Sequence, residues 1–137
     1  MTIWSLPQWR NNEVIVLAKI ERFEELQSWQ KARQLTNFIY DLTERPKFSK
    51  DFRLSGQIQD AASSVMHNIA EGFDAGTNPE FIRFLKIARR SASEVQSELY
   101  LALDRKYITA DELTAAYNLA TETKCFINGM IGYLRKF

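Results

Sequence analysis

Apolar residues recur along this chain at spacings of three and four, and the pattern predicts four amphipathic helices. The sharpest runs from residue 78 to about residue 105. There Phe81, Phe84, Leu85, Ala88, Ala92, Val95, Leu99, Ala102 and Leu103 share one sector. Asn78-Pro79-Glu80 opens it with a capping residue, a proline at the first helical position and an acid in the first turn. Before it, Leu54, Ile58, Ala61, Ala62, Val65 and Ile69 predict a helix that starts between Lys50 and Ser55 and ends near Gly72, a C-terminal glycine. Its centre, Ala61-Ala62-Ser63-Ser64, is small and lets another helix come close. A polar stripe of Gln57, Ser64, Asn68 and Glu71 runs beside that core face. The first helix is predicted over about residues 24–44, with Leu35, Phe38, Ile39 and Leu42 inward and Pro46 as its stop. Thr109-Ala110-Asp111-Glu112 reads as a capping box for the last helix. That helix continues to about Leu134, with Leu113, Ala116, Ala120, Ile127, Ile131 and Leu134 inward.

Four helices with short connections alternate in direction, so the expected fold is all-α: an antiparallel up-down-up-down four-helix bundle over residues 23–137. Residues 1–22 are expected to be an N-terminal extension. They carry Trp4, Trp9 and the apolar run 14–18, a composition unlike a disordered tail. The run reads as a short strand or a strap, packed on the bundle or on a neighbouring subunit. No second strand exists to pair with it in an α/β domain.

Composition narrows the class. At 137 residues the chain is one domain by length, and five Gly with three Pro are too few for a turn-rich β fold. One cysteine, Cys125, cannot form an internal disulfide, which fits a reducing cytoplasm. No apolar run approaches the roughly 20 residues of a membrane span, and no secretory leader or membrane association is expected.

Candidate chemistry is sparse. A di-metal bundle site needs Glu-x-x-His pairs. The one histidine, His67, has Ser64 three residues before it, and Glu94 and Glu98 fall at the edge of a core face or outside it. No metal, no other cofactor and no catalytic residue is therefore expected. His67 points away from its helix's core face and Cys125 lies on the outward side of another helix, so neither has a partner for nucleophilic catalysis. No Gly-rich phosphate loop follows a strand. Asn68 and Glu71 read as structural polar groups that bond the neighbouring helix near Ser91.

Two basic groups stand out. Arg83, Lys86 and Arg90 form one stripe almost opposite the apolar sector of the third helix, with Arg89 to one side. Lys47, Lys50 and Arg53, with Arg45, surround the first connection. These are the candidates for nucleic-acid phosphates. Against them stand the interspersed Asp60, Glu94 and Glu98 and a net charge of only +1. A second set of apolar side chains lies off the core stripes: Trp29 and Tyr40 on the first helix, and Leu119, Phe126 and Tyr133 on the last. Aromatic surface of this kind marks a protein interface, here contact with further copies of the chain or with the extension.

From Lys19 onward the chain resembles the bacterial 23S ribosomal RNA intervening-sequence proteins. The matching residues are Phe23-Glu24-Glu25-Leu26, Trp29-Gln30-Lys31-Ala32, Gln57-Ile58, Ala61-Ala62-Ser63, Asn68-Ile69-Ala70-Glu71-Gly72, Glu80-Phe81, Phe84-Leu85 and Ile87-Ala88, with Ser91, Glu94 and Leu99. The resemblance implies an antiparallel bundle that forms a homo-oligomeric ring, commonly a pentamer. It also implies similarity in fold to the accessory variability protein of diversity-generating retroelements, a basic pentamer that binds nucleic acid and a reverse transcriptase. This sequence departs from the family pattern at Gln59-Asp60, where arginines are usual, and at Phe73 after Gly72, where an arginine is common. The expected function is a non-catalytic accessory protein that binds RNA or an RNA/DNA hybrid, a reverse-transcriptase-type partner, or both. A protein-interaction scaffold without nucleic-acid contact is the alternative.

Overall fold

The computed structural model describes residues 20–136. Among them the chain is all-helical, with no strand. A one-turn 3-10 helix, Phe23–Glu25, precedes five α-helices: α1 (Gln27–Thr43), α2 (Pro46–Ser49), α3 (Phe52–Phe73), α4 (Asn78–Asp104) and α5 (Ala110–Leu134). Most of the expected extension, with Trp4, Trp9 and the run 14–18, lies outside the described residues. Ile20, at its end, packs on the core.

Three boundaries differ from the sequence reading, each for a local reason. The first helix does not start at Glu24. The Glu25 carboxylate accepts the Arg22 backbone N–H at 2.9 Å and closes a separate turn. Leu26 is then extended, and its side chain is fully buried. The first connection is not plain loop. Pro46 has no N–H to lose in a first turn, so it ends α1 and also opens α2. The α2 turn drives Phe48 into the core, stacked on Tyr107 with ring centroids 5.0 Å apart. The cap of α4 is Thr77, not Asn78: Thr77 is extended and its hydroxyl accepts the Glu80 N–H at 3.3 Å. The capping box at Thr109 and Glu112 forms as expected.

Each long helix packs on two others: α3 and α5 both lie against α1 and against α4. The core divides in two. One cluster gathers Leu35, Ile39, Ile58, Val95, Leu99 and Ala116 beneath Phe48 and Ile108. The other gathers Leu26, Val65, Ile69, Leu85, Ile127 and Met130. Between them the helices meet through small residues. The buried Thr36 hydroxyl lies 2.8 Å from the Ala32 carbonyl oxygen and 3.0 Å from that of Ala62, so α1 and α3 share its proton. Asp51 secures the Phe48 end. It caps α3 by accepting the Leu54 N–H at 3.1 Å, and accepts the Tyr107 hydroxyl at 2.9 Å. The Leu54 amide first, then Tyr107, holds its carboxyl below the usual range. No described helix is long and apolar enough to cross a membrane.

Candidate nucleic-acid interface

The stripe predicted on the third helix falls on α4, but only part of it forms a site. Lys86, Arg89, Arg90 and Ser93 of α4 meet Lys124 and Asn128 of α5 around an open basin of about 460 Å³. Lys86 and Arg90 are exposed and one helical turn apart, about 6 Å along the axis. Arg89 donates to Asn128 Oδ1 at 2.8 Å, which turns its guanidinium toward α5. Lys124 donates to Gln96 Oε1 at 2.7 Å and to Ser93 Oγ at 3.2 Å. Gln96 is buried and is itself fixed, its amide donating to the Thr121 hydroxyl at 3.0 Å and the Tyr117 carbonyl at 3.3 Å. A buried amide therefore sets the position of the Lys124 ammonium.

The charge state of these side chains gives the basin its meaning. The ion pairs among the described residues are Arg22–Glu24, Lys31–Glu122, Arg45–Glu112 and Arg83–Glu80. None of them uses a basin cation. Arg89 and Lys124 bond only neutral oxygens, so all the basin's charge is free to meet an anion.

Arg83 stands apart. Its guanidinium donates to both Glu80 oxygens at 3.1–3.3 Å and lies over the Phe84 ring, 4.4 Å from the centroid. Glu80, first by hydrogen bond and then by charge, raises its pKa. Lys47, Lys50 and Arg53 are exposed but collect near the other end of α4, about 20 Å along its axis from Arg90. Lys47 sits 5.9 Å from the Tyr107 ring centroid, and Arg53 borders a separate hollow with Asp51 and Leu101.

The α3 side of α4 is acidic. Glu98 is half-buried, and its Oε1 is fully buried with no hydrogen-bond partner among the described residues. Burial first, then the neighbouring Glu94 and Asp60 charges, pushes its pKa up to about 7. Glu94 lies one turn from Arg90 on α4, and Glu98 is the acid that faces Asp60 of α3.

The structural polar residues form a smaller network than expected. Ser64 and Ser91 hydroxyls lie 2.9 Å apart and join α3 to α4. Asn68 donates to the Ser64 carbonyl at 2.8 Å and its hydroxyl at 2.9 Å. Glu71 is exposed and outside this network.

The interface candidates do not make one exposed patch. Trp29 is half-buried and packs edge-on against Phe23, with ring centroids 5.3 Å apart. Leu119 and Tyr133 pack on the two core clusters. Phe126 lines a groove between α1 and α5 of about 320 Å³, beside Lys31 and Cys125. Tyr40 is 39% exposed. The most exposed large apolar side chain described is Phe52, at 84%, which lies outside the candidates periodicity offers. Lys124 lies outside them too, although it is the one basic residue in the 25 residues of α5. His67 is exposed on α3 and Cys125 half-buried on α5, helices separated by α1 and α4. No three His, Cys, Asp or Glu side chains among the described residues are placed to hold a metal ion.

A family model described as 23S rRNA-intervening sequence protein matches residues 24–129. Among solved structures, a crystal structure of a protein with unknown function from the S23 ribosomal protein family of Bacteroides thetaiotaomicron is similar. It aligns with a TM-score of 0.71 and 27% sequence identity, over 76% of this chain and 94% of that one. No curated protein matches the chain.

Proposed function

The chain belongs to the 23S rRNA-intervening sequence protein family, and we propose that it is a non-catalytic accessory protein that holds the phosphate backbone of RNA in the α4–α5 basin. The observation that carries this reading is the convergence of Lys86, Arg89, Arg90 and Lys124 from two helices with no carboxylate partner among the described residues. Each cation that meets a phosphate releases a condensed counterion, and that release drives binding.

The scaffold is an antiparallel four-helix bundle of α1, α3, α4 and α5. Two features support alternating directions: the ends of α1 and α4 meet the starts of α3 and α5 around Phe48, Asp51 and Tyr107, and the opposite ends share the second core cluster. Copies of the chain assemble with one another, so that a weak basin is repeated and avidity raises its affinity, by roughly 10²-fold or more.

Titrating structured RNA against salt tests the reading. For one basin, log affinity falls with log salt at a slope of about −3 to −4, roughly −0.7 to −0.9 for each of its cations. Replacing Lys86 and Arg90 together by Glu removes binding, whereas Arg83→Ala, whose charge is already met by Glu80, changes it little. Binding that survives the double reversal overturns the proposal. Phe52 favours a second reading, a scaffold for protein partners alone, which holds if no RNA binds even at low salt.

A further inference from the structure

The α4 face that carries the basin runs on to an aromatic pair. On α4, Lys86, Arg90, Ser93, Ser97 and Tyr100 follow one another at spacings of three and four and lie along one face. Opposite them, Lys124 bonds Ser93, and Thr121 and Tyr117 bond Gln96. At the far end Tyr100 is 52% exposed and meets Tyr117 edge to face, with centroids 6.0 Å apart and ring planes at 71°. Tyr117 packs on the core, so it holds one edge of Tyr100 while half of that side chain stays open to solvent. From Lys86 to Tyr100 this face extends about 20 Å along the α4 axis.

We infer that this face takes a single-stranded nucleic acid, with its phosphates on the basin cations and a base stacked on Tyr100. The inference rests on the proposed RNA contact and names the form of the ligand. Charge alone does not distinguish one strand from two. A stacking platform does, because the bases of a duplex are already stacked inside it and only a single strand can lay one on a side chain. The Tyr100 end suits a base better than a phosphate. On α4 no cation stands between Arg90 and the exposed Asp104, one turn beyond Tyr100, though Arg105 and Lys106 follow it. Gln96 joins the two ends by bonding both Lys124 and the Tyr117 carbonyl, so cations and platform are held in fixed register.

The test uses the full chain and three labelled oligonucleotides of equal length at one low salt concentration: oligouridylate, oligothymidylate and an RNA duplex. The wild type binds a single strand more tightly than the duplex. Tyr100→Ala weakens single-strand binding about tenfold and leaves duplex binding unchanged. Tyr100→Phe, which keeps the ring, binds as the wild type does and shows that the fold tolerates substitution there. An equal response of both single strands marks any single strand as the ligand, and a response of oligouridylate alone marks RNA. If Tyr100→Ala changes neither affinity, or both equally, the stacking inference falls while the proposed phosphate contact stands. If the wild type binds none of the three, both fall together.

Discussion

At the scale of single residues, Glu98 carries the plainest energetic consequence. A carboxylate with a buried, unpartnered oxygen beside two other acids is easier to keep protonated, and its pKa moves from 4.5 to about 7. The folded protein then holds a proton that the unfolded chain releases between those values. Glu98's contribution to stability is full below pH 4.5 and is lost as pH rises through 7. Glu98→Gln removes the effect. Melting curves should coincide near pH 4.5, and at pH 8 the variant should be more stable by about 1–2 kcal/mol. The whole shift corresponds to roughly 3 kcal/mol, and partial exposure reduces it. The same offset at both pH values would sink this account. None of it was legible in the sequence, where Glu94 and Glu98 read as solvent-side or edge residues. The periodicity gave Glu98 a place on one helix, but the nearness of Asp60 belongs to the packing of α3 on α4. The basin has the same lesson. Lys86 and Arg90 stood out because they share a stripe within one helix, whereas Lys124 joins them only through the register of α5 against α4.

At the scale of elements, the packing of α3 on α4 turns on a contact that only glycine allows. A Cβ added at Gly72 would stand 2.9 Å from Phe84 Cβ, 2.9 Å from Phe81 Cδ1 and 3.3 Å from the Phe81 carbonyl oxygen. The Phe81 ring can rotate away, but Phe84 Cβ and the Phe81 carbonyl move only if the helices move. Gly72→Ala brings about 1 kcal/mol of better helix propensity and an overpacking cost of about 1–3 kcal/mol. The clash should win, lowering stability by about 1–2 kcal/mol. Gly56 provides the contrast in the same helix, since its added Cβ meets nothing within 4 Å. Gly56→Ala should therefore raise stability, by up to about 1 kcal/mol, in the same urea titration. If both alanines shifted the midpoint alike, propensity and not contact would govern this helix pair. Element positions were largely legible, because Pro46, Pro79 and the Thr109–Glu112 box act through neighbours in sequence. The break at Leu26 and the α2 turn were not, because burial of Leu26 and Phe48 decides them, and burial depends on α5 and Tyr107.

At the scale of the whole molecule, the question is what Phe52 is for. It opens α3 directly after the Asp51 cap and is 84% exposed, so the fold gains almost nothing from it. A phenylalanine left in water forgoes about 1.5–3 kcal/mol of burial, and in a self-assembling protein each copy recovers that at a contact. A net charge of +1 puts little repulsion in the way. The candidates chosen from the sequence serve this role less well, because Trp29, Leu119 and Tyr133 are largely used within the chain. Light scattering after size exclusion should give the wild type a mass several times that of one chain, and Phe52→Glu the mass of one chain with unchanged helicity. A wild type that runs as a single chain at about 100 μM would end the self-association reading. The basin lies on α4 and α5, not on Phe52, so the dissociated variant keeps every phosphate contact and loses only repetition. Its RNA affinity should drop by the avidity factor, roughly 10²-fold, while the salt slope falls to that of one basin. An unassembled variant that bound RNA as tightly as the wild type would instead show that one basin suffices.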